Sequence, residues 1–458
     1  MYRLAAALLL ASPAVAWADT PLSVVTEEIQ LTANDFVAHG DDLSDNKRYD
    51  DAIDAFNSAL QIDPRNAAAF AGRSIAYAST NRLLQAQHDV DAAARLAGES
   101  MLVHRARGLI AMRRSDDKTG IAELSKALEA RPDDRFSLYY RAWLYQDAHR
   151  DVAALADADT YIVAHPRAAE GYVLRGKLLL AQHKPTLALI EGDRLVRLFP
   201  DDSKTLAAAA EIYAQAGDRQ RAFEAIDRAI AMEPAISLYR FMRSRFHRWD
   251  DFGGKRADLE AALNLNPGNL DAVTQLALVN FKQERWADAI SGFSTILQQE
   301  PKDFGILAYR AMASEAKGDA SKAAQDFATA MSVASGPDDF DKICWAFANE
   351  GRALKWALEA CNQALASKPN ESNYLADRGL VRLRLGQLQQ ALDDYDRAIS
   401  SDPTKPFAYY GRGLALLRQG KKESAMQSRQ RALELSPHID EVFDKYGLRD
   451  FIDHSKPS

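Results

Sequence analysis

From residue 33 onward, apolar side chains recur at three- and four-residue steps in short paired bursts. Phe36, Gly40 and Leu43 form the first burst; Ala52, Phe56 and Ala59 form the second. That spacing is the stripe of an amphipathic helix, not the alternation of a strand. The small residues Gly40 and Ala52 let two antiparallel helices approach closely. Pro64 follows the second burst, where it cannot continue helical hydrogen bonding. The pattern predicts a helix-turn-helix hairpin.

The hairpin repeats. Pro132, Pro166, Pro200 and Pro234 are 34 residues apart, and Pro64 lies two periods earlier. The clock slips by one residue to Pro267, then continues through Pro301, Pro369, Pro403 and Pro437. Counting each unit so that proline falls at position 32 gives twelve units over 33–439. They start at Ala33, Ala67, Met101, Arg135, Ala169, Ser203, Ser237, Leu270, Phe304, Asp338, Ser372 and Pro406. Position 8 is mostly Gly, Ala or Ser, position 20 mostly Ala, and position 27 is Ala in nine of twelve units. Position 24 is usually bulkier, as in Phe56, Leu124, Ile226, Phe293, Phe327 and Tyr395. A fixed period of this size marks an array whose units cannot bury their apolar faces alone.

This combination resembles the tetratricopeptide repeat family, and unit 1 carries the motif cleanly in Phe36, Gly40, Ala52, Phe56, Ala59 and Pro64. The resemblance implies an all-α fold, a right-handed α-solenoid superhelix of about twelve hairpins. First helices would line a concave groove and second helices the convex back. It also implies binding of proteins or peptides in place of catalysis. Some units depart from the motif. Unit 5 has Gly192 at position 24, unit 10 has Trp345 at position 8, and unit 7 is one residue short with Gly253-Gly254. Glycine inside a helix costs about 1 kcal/mol relative to alanine.

In the family, positions 2, 5, 9 and 12 of each first helix face the groove. Those positions hold Phe136, Tyr139 and Trp143 in unit 4, Phe241 in unit 7, Phe281 in unit 8, and Phe407 and Tyr410 in unit 12. Exposed aromatic clusters often mark recognition surfaces; the alternative is packing against the next hairpin. Arg245 and Arg248 occupy groove positions in unit 7, where they would hold an anionic group or pair with Glu211 and Asp271. Arginine also recurs at position 7, from Arg73 to Arg412. Its stems are expected to pack while its heads pair with second-helix carboxylates such as Asp157 or Asp394.

The N-terminus reads as a secretory signal peptide over 1–18: Arg3, an apolar run from Leu4 to Ala11, then Ala16-Trp17-Ala18. The run is too short to span a bilayer, so no integral membrane segment is expected in the mature chain. Residues 19–32 form a lead-in, and 440–458 a capping segment and tail with Val442, Phe443, Tyr446, Leu448 and Phe451. The expected location is the bacterial periplasm, with secretion the alternative. An oxidising compartment favours a disulfide between the only two cysteines, Cys344 and Cys361, one on each helix of unit 10.

A net charge of -7 makes nucleic acid a poor partner. His149-Arg150-Asp151, Asp251-Phe252-Gly253 and Asp303-Phe304-Gly305 spell fragments of kinase motifs. No glycine-rich phosphate loop precedes them, and all fall at turns or unit boundaries. The nine histidines are dispersed without metal-ligand spacing. The expected protein is a non-enzymatic scaffold of the cell envelope, without cofactor or metal, taking a protein or extended peptide along the groove. An accessory role in envelope polysaccharide synthesis or export is the second reading.

Overall fold

The computed structural model describes residues 31–448 and residue 451. The expected signal peptide over 1–18, the lead-in up to residue 30 and the tail from 452 lie outside the described residues. Secondary structure among the described residues is entirely helical. The chain divides into two compact units, Met1–Leu174 and Arg175–Ser458.

The first unit holds the hairpins α1 (Ala33–Asp45) with α2 (Tyr49–Ile62), α3 (Ala67–Ser79) with α4 (Leu83–Ala97), α5 (Met101–Arg113) with α6 (Asp117–Ala130), and α7 (Arg135–Asp147) with α8 (Asp151–Ala164). The boundary falls within α9 (Ala169–Ala181). The second unit continues with α10 (Pro185–Leu198), α11 (Ser203–Gln215), α12 (Arg219–Met232), α13 (Ser237–Ser244), α14 (Phe252–Leu265), α15 (Leu270–Lys282) and α16 (Trp286–Gln299). It ends with α17 (Phe304–Lys317), α18 (Ala320–Val333), α19 (Pro337–Glu350), α20 (Leu354–Ser367), α21 (Ser372–Arg384), α22 (Leu388–Ser401), α23 (Pro406–Arg418), α24 (Lys422–Leu435) and the short α25 (Ile439–Lys445). Within each unit, every hairpin's second helix packs on the next hairpin's first.

Local chemistry fixes both ends of the hairpins. The residue before many first helices accepts a backbone N–H with its side chain, as Asn66, Asp134, Asn269 and Asp303 do. The leading acids of two of the kinase-like triplets serve as caps in the same way, Asp251 on the second helix α14 and Asp303 on the first helix α17. Asp251 accepts from the Gly254 N–H at 2.9 Å and Asp303 from the Ile306 N–H at 3.0 Å. The turn of hairpin 10 holds two left-handed residues, Gly351 and Ala353; most of the other hairpin turns contain one. It is Gly217, Gly318, Gly386 or Gly420 in some hairpins, but Lys47, Asn81, Ser115, His149, His183 or Glu284 in others.

The small positions exist to receive a ring from the second helix. A Cβ on Gly40 or Gly72 would lie 2.7 or 2.5 Å from the Phe56 ring, and one on Gly379 or Gly411 would lie 2.8 or 2.3 Å from Tyr395. Each bulky residue is thus clamped between its own hairpin and the next. In hairpin 5, where position 24 is Gly192, the space is filled from outside: a Cβ there would meet the Tyr213 ring at 2.6 Å. Tyr213 is buried and donates to Asp193 at 2.7 Å.

Hairpin 10 corrects the counted register. Helix α19 begins at Pro337, one residue earlier than the unit start at Asp338. Cys344 therefore takes the small, buried position and Trp345 moves to the groove-side position after it. Trp345 is half-buried, not wedged between the paired helices. Cys344 faces Cys361 across the hairpin and the two form a disulfide, with Cα atoms 5.1 Å apart.

Candidate functional site: groove-side faces of the first helices

In the first unit, α7 presents Phe136, Tyr139 and Trp143 on one face, all half-buried. Phe136 packs on Tyr140 with centroids 4.5 Å apart, and the Arg105 guanidinium lies 4.5 Å from the Phe136 centroid. Tyr139 meets Tyr140 edge-on at 5.3 Å and packs on the Leu128, Leu138 and Tyr161 cluster. Trp143 forms no ring–ring contact or hydrogen bond among the described residues. Burial pushes the Tyr140 phenol up to about 12, and it holds the Asp41 carboxyl above its usual range against the pull of Arg105. The face is aromatic, with a flanking acid and base.

The remaining expected site residues fare differently. Phe281 is 2% exposed and packs against Trp286, Phe293 and Tyr309, so it is core. Phe241 is half-buried against Leu259, Ala272 and Val279. Arg245 and Arg248 are not on a helix at all, because α13 stops at Ser244. Ser244 donates its hydroxyl to the Phe241 carbonyl at 2.7 Å, and Phe246 turns inward. His247 then fills the space over Gly254, held by Asp251 at 2.7 Å and Asp258 at 2.9 Å. Arg248 pairs with Asp250 at 3.2 Å, not with Asp271; Arg245 is exposed, and Glu211 pairs with Lys177 at 3.2 Å instead.

Phe407 and Tyr410 are covered by the chain's own end. Phe443 of α25 lies 4.6 Å from Phe407 and 4.3 Å from Tyr410, which is fully buried. Tyr446 reaches farther, to 5.4 Å from Trp345 two hairpins back. Arg384 of α21 donates to the Tyr446 carbonyl at 2.7 Å and to the Asn349 carbonyl at 3.1 Å. The C-terminal segment therefore occupies the groove side of hairpins 10 to 12.

The position-7 arginines are structural. Arg141 grips Asp157 through two bonds of 2.8 and 2.7 Å and reaches Ser125 of the preceding hairpin at 2.9 Å. Arg73, Arg310 and Arg378 repeat this arrangement with Asp89 and Asn57, Asp326 and Ser294, and Asp394 and Asn362. The acid stands sixteen residues after the arginine and the neighbour's polar group sixteen before it. Sequence reading found the carboxylates but missed the second contact; the recurring spacing was its signal.

Among the described residues no helix is long and apolar enough to cross a membrane, and no group of three or more His, Cys, Asp or Glu could hold a metal ion.

Stacked helical hairpins with an aromatic groove-side face define a helical-repeat protein. The tetratricopeptide repeat profile matches residues 37–86, 134–203, 274–339 and 376–438, more than half of the chain, and the chain belongs to that family. Human tetratricopeptide repeat protein 13 is 29% identical over 126 residues, covering 28% of this chain and 14% of that protein. The human mitochondrial import receptor subunit TOM70 is 25% identical over 216 residues, covering 47% of this chain and 31% of that protein. The matches thus span less than a third of either relative. Among solved structures, yeast Tom70 is similar at a TM-score of 0.44 and 16% identity, covering 92% of this chain and 95% of that one. A human IFIT1 dimer with PPP-AAAA is similar at a TM-score of 0.41 and 15% identity, covering 82% and 91%.

Proposed function

We propose that this protein is a non-enzymatic scaffold that binds a protein or extended peptide along the groove-side face of its first helices. The observation that carries the reading is Trp143, a half-buried indole without ring or hydrogen-bond partners, flanked by Tyr139 and Phe136 on one face of α7. Large amphipathic rings of this kind anchor protein interfaces at low entropic cost. Membership of a family of protein-binding repeats supports the same reading.

The bacterial cell envelope, most naturally the periplasm, is the location we assign. The apolar leader ending at Ala16-Trp17-Ala18 and the pairing of both cysteines support it, because disulfides persist in oxidising compartments.

Crosslinking in the native cell, followed by identification of captured partners, tests the reading. Trp143→Ala is expected to weaken capture tenfold or more while leaving helix content and melting unchanged. Capture that survives Trp143→Ala and Tyr139→Ala together would place recognition on another face.

A further inference from the structure

The second unit holds a cavity of about 330 Å³ between the second helices α16 and α18, over the first helix α17 that packs on both. Its wall includes the grip of hairpin 9, in which Arg310 binds Asp326 through two bonds and Ser294 through a third. Lys322, one turn before Asp326, brings its ammonium to 3.2 Å from the same carboxylate and keeps 38% side-chain exposure. Two cations thus share one buried anion, and the lining carries one uncompensated positive charge. Outside the lining, Glu300 and Lys302 flank Pro301 with opposite charges.

Two other seams put an arginine at this place. Arg228 of hairpin 6 and Arg397 of hairpin 11 donate to the Pro200 and Pro369 carbonyls of the preceding hairpins at 3.0 and 2.7 Å. The corresponding residue of hairpin 9 is Thr329, which donates to the Gln325 carbonyl at 2.8 Å and leaves Pro301 without that tie. Hairpins 3 and 4 of the first unit supply an internal comparison. Ser125, Pro132, Arg141, Asp157 and Thr160 reproduce the frame at the corresponding positions. Three lining residues differ: Gln298, Lys322 and Gln325 stand where hairpins 3 and 4 have Glu129, Ala153 and Ala156. Asp157 is held by Arg141 with Ala153 in place of the lysine, so the grip does not need Lys322. The three polar residues are surplus to the frame, and all three line the cavity.

We propose that this cavity binds the carboxylate of an aliphatic ligand of about glutamate size, with Lys322 as its counter-ion and the Gln298 and Gln325 amides donating to it. The ammonium of Lys322 carries three donors, of which Asp326 takes one. Neither glutamine engages its side-chain amide in a hydrogen bond among the described residues. Leu297, Pro301 and Leu307 supply an apolar floor for the ligand's methylenes. One free positive charge matches a carboxylate, whereas a phosphate monoester carries close to two negative charges. An arginine from a partner would meet Lys322 with no free acid to receive it, since Asp326 already accepts from Arg310 and Lys322. The volume is at the lower end of the range for ligand pockets, about 300–1,000 Å³, which restricts the occupant to one small molecule or one side chain. A glutamate residue of a docked polypeptide and a free amino acid share this chemistry.

The site lies on second helices, away from the groove-side faces, and does not rest on the peptide-scaffold reading. Three probes are titrated into the full chain and followed by ligand-observed NMR: acetyl-glutamate-methylamide, free glutamate, and acetyl-glutamine-methylamide as the neutral control. A carboxylate probe is expected to saturate with a Kd of about 1 mM or tighter, at least tenfold ahead of the glutamine control, and to weaken as salt rises. Saturation by the blocked glutamate identifies a polypeptide side chain as the source; saturation by free glutamate alone identifies a free acid. Lys322→Ala combined with Gln325→Ala, which copies hairpin 4 at these positions, should weaken binding at least tenfold with melting unchanged. If that double variant loses its fold, Lys322→Met, which keeps the stem and removes the charge, decides. Equal binding of the glutamine control, no saturation up to about 10 mM, or a folded double variant that binds like the parent overturns the proposal.

Discussion

Replacing Arg141 with methionine keeps the apolar stem and removes the head that binds Asp157 and Ser125. Asp157 would then be left with its side chain 8% exposed and no cation in reach. Burial opposes the charge on the Arg141 guanidinium, yet its bonds to Asp157 outweigh that and hold its pKa above the ordinary value. Breaking one side of a buried pair costs about 3–5 kcal/mol, because the surviving charge stays desolvated. Arg141 retains 18% side-chain exposure, so water softens the loss and the expected cost is near the lower bound, about 3 kcal/mol. That is on the order of a hundredfold in the opening equilibrium of hairpin α7–α8. A long array does not unfold as one two-state unit, so the assay is native-state hydrogen exchange at the α7 and α8 amides. Arg141→Met with Asp157→Leu should recover most of the protection, since removing both charges removes the orphan. A single variant within about 0.5 kcal/mol of the parent, or a double variant no better than the single, would refute the reasoning.

Opening the Cys344–Cys361 bond by Cys344→Ala and Cys361→Ala should cost hairpin 10 about 3 kcal/mol, the chain-entropy value for a separation of 17 residues, read as lost exchange protection in α19 and α20. Because the Asp341 carboxyl is raised to about 7, its unfavourable ionisation should erode the stability of hairpin 10 as pH climbs from about 4 to about 7, with the contribution flat on either side; Asp341→Asn should remove that slope, and an unchanged slope would clear Asp341 of the effect. His149 sits at the left-handed turn position with φ of 54°, so His149→Gly should stabilise its hairpin by about 1 kcal/mol in urea melts, and a loss of stability would contradict the turn argument.

The hairpins were legible because a proline that ends a helix and a small residue that admits a ring are local requirements, repeated in nearly every unit. Phe56 between Gly40 and Gly72 is the physical content of that repeat. The slip in hairpin 10 was not legible, since Pro337 starts a helix there, where proline at the first turn is equally at home. The groove was legible only in part. Whether Phe281 meets solvent or Tyr309 depends on how neighbouring hairpins wind, and whether Tyr410 is open depends on α25 folding back over it. Neither fact is encoded within a single repeat. The early end of α13 at Ser244 likewise depends on His247 finding two carboxylates, Asp251 and the more distant Asp258.

The arginine grip has a mechanical consequence in the second unit. There it ties hairpin 7 to 6 through Arg243 and Asp227, 9 to 8 through Arg310 and Ser294, 11 to 10 through Arg378 and Asn362, and 12 to 11 through Arg412 and Asp396. The corresponding positions of hairpins 8 and 10 hold Leu276 and Ile343, which can tie nothing. The arginine lacing is therefore interrupted between hairpins 7 and 8 and between hairpins 9 and 10, where other ties take over: Arg256 donates to the Gln283 side chain at 3.3 Å, and Lys282 and Arg352 join hairpin 8 to hairpin 10 through Glu350 and Glu284, each at 2.6 Å. Bending and fraying concentrate where side-chain ties are sparse. Hairpins 8 and 10 are thus clasped over hairpin 9, so a partner that flexes this stretch would carry hairpins 8 to 10 together as one block.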